Sequence, residues 1–65
     1  MENLNNAEII KKAMDDFKTV QNYMLAAREE SAVKTYNLLK SDYLNLKSFL
    51  TVMGVNLTPI DIINE

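Results

Sequence analysis

Apolar residues recur every three or four positions along most of the chain: Ile10, Ala13, Phe17, Val20, Met24 and Ala27, then Ala32, Tyr36, Leu39, Tyr43, Leu46, Leu50 and Met53. That rhythm is the seam of a helix packing at a shallow angle on a neighbouring helix, and no strand-type alternation competes with it. Between the two runs the step lengthens to five residues, from Ala27 to Ala32, across the polar stretch Arg28-Glu29-Glu30-Ser31. The phase break predicts an all-α fold in which a helical hairpin covers about 5–28 and 31–53, turning near residues 28–31, with Ser31 placed to cap the second helix. One continuous helix is the competing reading. Val20, Met24, Arg28, Ala32 and Tyr36 run in steps of four, no Gly marks the turn, and such a helix would be about 70 Å long.

Local signals set the ends. Asn5 followed by Glu8 reads as a capping box, in which each side chain bonds the other's unpaired backbone N–H, and Leu4 and Ile9 stand at staple spacing around it. The one Gly and the one Pro both fall after residue 53. Gly54 suits the left-handed position just past a helix end, with Leu50 and Val55 spaced for the apolar contact of a Schellman motif. Thr58-Pro59-Ile60-Asp61 then reads as a new helix start, with Leu57 and Ile62 as its staple, predicting a short C-terminal helix over about 59–64.

The apolar faces are wider than a hairpin needs. The first helix is apolar over an arc of about 200°, against the roughly 100° stripe that one contact fills. The second carries an extra stripe of Leu38, Phe49 and Val52 beside its seam. Each helix therefore calls for two neighbours, and the simplest closed answer is a homodimeric four-helix bundle. Residues expected to meet a dimer mate or another protein are Phe17, Val20, Met24, Tyr36, Leu39, Tyr43, Leu46, Phe49, Leu50, Met53, Ile60, Ile62 and Ile63. The tail is the other source of cover, enough for one end of the second helix around Phe49, Val52 and Met53.

Composition sharpens this. A chain of 65 residues is a single domain, and one this short buries only about 60% of its unfolded surface. There is no Cys and no His, so disulfides are excluded and any metal site would have to be built from carboxylates. The formal net charge of −2 is too mild to advertise nucleic acid or an anionic membrane. The apolar run Met24-Leu25-Ala26-Ala27 is far short of a membrane span, and the N-terminus lacks a signal-peptide pattern, so the expected location is cytoplasmic. Eight Asn suit an AT-rich genome, bacterial or phage.

The chemistry expected is that of binding, not catalysis. No His or Cys offers a base or nucleophile, and no Gly-rich loop cradles phosphate. Asp15 and Asp16 are neighbours that point about 100° apart on a helix, so they belong to a solvated face with Lys11, Lys12 and Lys18. No cofactor, metal or small-molecule substrate is expected. Residues 34–60 carry Lys34, Lys40 and Lys47 against Asp42 alone. That mildly basic helix is the weaker alternative, a strip meeting a phosphate backbone from a hairpin dimer, with an ordinary polar helix face as the simpler reading. Tyr36 and Tyr43 lie on the apolar seam, as core residues with hydroxyls at its edge. Leu44 and Val33 stand alone on the polar side and need no function. The leading expectation is a small non-enzymatic regulator or adaptor that binds protein as a helical dimer. A structural subunit of a phage or bacterial assembly is the remaining alternative.

Overall fold

The computed structural model describes residues 6–65. Its two helices, α1 (Asn6–Glu29) and α2 (Val33–Val52), pack against each other as an antiparallel hairpin, and no strand occurs among the described residues. The largest dimension is 42 Å, well below the length of one continuous helix, so the phase break between the apolar runs is a turn. The proposed box residue Asn5 and staple residue Leu4 lie outside the described residues.

The turn is built differently from the expectation. Ser31 does not cap α2; it ends α1. Its φ is +57°, the left-handed conformation that helix ends use. The Ala32 N–H donates to the Ala27 carbonyl (2.8 Å) and the Ser31 N–H to the Arg28 carbonyl (3.1 Å), which is the Schellman pattern with serine where glycine is usual. Ala32, at φ −84° and ψ 75°, then forms an inverse γ-turn in which the Val33 N–H donates to the Ser31 carbonyl at 3.0 Å. So α2 starts at Val33, without a side-chain cap.

The far end of α2 behaves as its sequence predicts. Gly54 adopts φ +83°. The Val55 N–H reaches the Leu50 carbonyl and the Gly54 N–H reaches the Thr51 carbonyl, both at 3.0 Å. Val55 packs against the core cluster to which Leu50 belongs.

The expected third helix does not form, a correction to the 59–64 segment. Residues 58–60 make one turn, in which the Ile60 and Asp61 N–H groups both donate to the Leu57 carbonyl at 2.9 and 2.8 Å. Thr58 does not cap; its N–H donates to the Asn56 Oδ1 at 3.2 Å. A continuing helix would send the Ile62 and Ile63 N–H groups to the carbonyls of Thr58 and Pro59. They go instead to the Gln21 Oε1, at 2.7 and 3.0 Å. An acceptor on α1 therefore wins over the next helical turn. The staple is lost with it, since Leu57 packs on the core while Ile62 stays exposed.

The core lies between the helices and under the tail. Ala13, Phe17, Val20 and Met24 of α1 meet Tyr43 and Leu50 of α2, with Ile63 of the tail closing over them. Phe17 and Tyr43 stack, with ring centroids 5.3 Å apart. Burying Ile63 alone contributes about 1.5–3 kcal/mol. The tail thus covers one of the two sides of the hairpin that the wide apolar arcs left in need of a neighbour.

Candidate interaction surface

Two antiparallel helices make two grooves, and this chain treats them differently. The first is closed by the tail. Its centre is Gln21, only 1% exposed, which sits four residues after Phe17 and three before Met24, within the buried arc of α1. Its Nε2 donates to the Phe17 carbonyl (3.3 Å) and to the Ile60 carbonyl (2.9 Å), while its Oε1 accepts from Ile62 and Ile63. Both donors and both acceptor positions are thereby used. The side-chain amide pairs with the tail as a neighbouring strand would, which is why a polar residue is tolerated inside.

Beside it, Asp61 is buried and collects three partners. The Tyr43 hydroxyl donates to its Oδ1 at 2.7 Å, the Asn64 N–H to the same oxygen at 2.9 Å, and the Lys47 ammonium meets its Oδ2 at 3.0 Å. Asn64 takes a left-handed φ of +59°, which turns its N–H back towards the carboxylate. Burial alone would raise the Asp61 carboxyl, but the Asn64 N–H, the Tyr43 hydroxyl and the Lys47 ammonium together outweigh it and hold it below its ordinary value. Burial pushes the Tyr43 hydroxyl up, and its hydrogen bond to the Asp61 carboxylate adds to this. Lys47 is raised chiefly by its bond to Asp61.

Glu65 fastens the end. Its carboxylate meets the Lys40 ammonium and accepts from the Tyr36 hydroxyl at 2.6 Å. Its N–H donates to the Tyr43 hydroxyl (3.0 Å) and its carbonyl accepts from Lys47 (2.6 Å). Lys40, first, and Tyr36 hold the Glu65 carboxyl below its ordinary value. Arg28 donates to the Tyr36 hydroxyl at 3.0 Å and lies over its ring.

The second groove is open. Asp16, Thr19, Val20 and Tyr23 of α1 and Leu39, Asp42, Asn45 and Leu46 of α2 line a trough of about 490 Å³. Helical spacing puts Ile9 on the same edge of α1 as Asp16, Thr19 and Tyr23, and Leu38, Phe49 and Val52 on the same edge of α2 as Asp42 and Asn45. All five of the apolar residues on these edges are exposed: Ile9, Tyr23, Leu38, Phe49 and Val52, with Val52 at 83% and Leu38 at 68%. Asp16 pairs at 3.3 Å with Lys12, a largely exposed one-turn contact.

The residues expected at an interface divide accordingly. Phe17, Val20, Met24, Tyr43, Leu50 and Ile63 are buried in the chain's own core. Tyr36, Leu39, Leu46, Met53 and Ile60 are half-buried, Leu39 and Leu46 forming the trough floor. Phe49 stands exposed on the trough edge, and Ile62 is exposed on the tail. Of the candidate phosphate contacts, Lys40 and Lys47 already face Glu65 and Asp61, while Lys34 is exposed and makes no ion pair among the described residues. Sequence reasoning missed Gln21 and Asp61. The signal for Gln21 was its place on the apolar arc; nothing local signalled Asp61, because its partners Tyr43 and Lys47 stand 18 and 14 positions away.

Among the described residues no cluster of His, Cys, Asp or Glu is arranged to hold a metal ion, and no helix is long and apolar enough to cross a membrane. The sequence matches no protein-family model, and the chain has no match among curated proteins or solved structures.

Proposed function

We propose that this chain is a small non-enzymatic regulator or adaptor that works by binding another protein through the open trough between α1 and α2. The observation that carries this reading is the pairing of an apolar floor, buried Val20 with half-buried Leu39 and Leu46, with exposed Tyr23, Leu38, Phe49 and Val52 along its banks. An apolar groove between two helices is the shape that accepts the apolar face of a third. The other groove shows what filling it involves, since there the chain supplies its own tail.

A dimeric four-helix bundle is the second reading. Its motive was apolar surface on both sides of the hairpin, and only the trough side is left uncovered by the tail. Nucleic-acid binding by α2 draws less support, because carboxylates from the tail meet Lys40 and Lys47.

The test is a pull-down from the native host with the full chain and with Tyr23→Glu and Leu38→Glu, alongside sedimentation of each. Retained helicity with loss of one captured protein supports the reading. Capture that survives both substitutions moves binding away from the trough, and a gel shift at low salt that Lys40→Glu and Lys47→Glu abolish would put nucleic acid in its place.

A further inference from the structure

Resting on the reading that the trough binds protein, we infer that its occupant is an amphipathic helix of another protein whose apolar stripe is flanked by lysine or arginine, and not a second copy of this chain. The charged residues lining the trough are Asp16 on one bank and Asp42 on the other; no basic residue lines it. Asp42 has no ion-pair partner among the described residues, and Asp16 is met from outside the lining by Lys12, with both side chains more than half exposed. A helix lying in the trough sets its apolar stripe on Val20, Leu39 and Leu46 and turns both flanks towards a carboxylate. Cations on those flanks are the complement.

A second copy fits less well. A two-fold axis through the middle of the trough, along the helices or across them, brings Asp16 and Asp42 of both copies together, so four carboxylates enter one desolvated interface. The lysines on these two edges, Lys12 and Lys34, sit towards the opposite ends of the hairpin and outside the lining. Lys40 and Lys47 belong to the other groove and are held there by Glu65 and Asp61.

The experiment uses the full chain, isotopically labelled, and two synthetic amphipathic helices of about 20 residues, long enough to run the length of α2. They share a Leu/Ala stripe and differ only in carrying Lys or Glu beside it. Sedimentation at the same concentrations is run in parallel. The expected result is a monomeric chain whose Val20, Tyr23, Leu39 and Asp42 signals shift with the Lys-flanked helix, at an affinity about tenfold above the Glu-flanked one at low salt, as two surface charge pairs allow. Asp16→Asn with Asp42→Asn removes that preference, and Asp16→Lys with Asp42→Lys inverts it. Equal binding of both helices in the trough overturns the inferred partner and leaves the protein-binding reading standing. A dimer that Tyr23→Glu dissociates also overturns it, making the second copy the occupant. Absence of binding by a monomer overturns both.

Discussion

The two grooves of this hairpin are made from the same two helices, yet one is closed and the other open. The closed groove has polar groups set inside its apolar walls: Gln21 in α1, and Tyr43 with Lys47 in α2. The open trough has Val20, Leu39 and Leu46 at its floor and polar groups only at its banks. Apolar surface attracts cover of any shape, whereas an inward amide with four directed bonds accepts one backbone in one register. The lesson is that buried polar hooks, not the isoleucines alone, decide which side the tail takes.

Removing the central hook should break the difference most. Gln21→Ala leaves the Ile60 carbonyl and the Ile62 and Ile63 N–H groups without their partner, and is expected to cost about 3 kcal/mol. Urea unfolding measures the loss, and hydrogen exchange at Ile62 and Ile63 shows whether the tail has left the groove. Unchanged exchange there would mean the apolar contacts suffice.

The isoleucines come next. Ile63→Ala empties a buried site and should cost about 2 kcal/mol, while Ile62→Ala, on an exposed neighbour, should stay within about 0.5 kcal/mol. Equal effects of the pair would contradict the register that Gln21 imposes.

Acidity separates the grooves in a graded way. Asp61 and Glu65 have folded pKa values below their unfolded ones, so their contribution is fully present above the unfolded carboxylate value and is lost as pH falls through the folded one. Below about pH 4 the tail amides should lose exchange protection first, with α1–α2 contacts persisting, and Asp61→Asn should flatten that dependence. At the alkaline end Lys40, Lys47 and Tyr43 are raised, so their contribution is complete below about pH 10 and fades as pH climbs further.

The turn is shared by both grooves. Ser31→Gly relieves a left-handed serine and should raise stability by up to about 1 kcal/mol, read as a higher melting temperature. Smallest of all, Leu38→Ser and Val52→Ser on the trough banks should change folding stability by less than about 0.5 kcal/mol. A larger loss would show those residues covered in solution, as they would be in a dimer.

Much of the fold was legible from the chain. The three-and-four rhythm placed Phe17, Val20 and Met24 on the seam of one helix and Tyr43 and Leu50 on the seam of the other, and the five-residue step located the turn. Gly54 marked its helix end because only backbone sterics were involved. Ser31 was misread because serine is a common cap, and its left-handed role follows from how the hairpin closes. The tail misled for a similar reason: Thr58, Pro59 and Asp61 are a sound helix start taken locally, and they do begin a turn.

What the sequence determined by itself is therefore what depends on near neighbours: two amphipathic helices, a break between them, a glycine end, and more apolar surface than a hairpin buries. What only the tertiary structure decided is how that surface is divided. Gln21 meets Ile60, Ile62 and Ile63 across 39 to 42 positions, and Tyr43 meets Asp61 across 18. Contacts at that separation exist only once the helices have set the groove, and there a directed hydrogen bond to α1 outcompetes the next turn of a six-residue helix, which has little stability of its own.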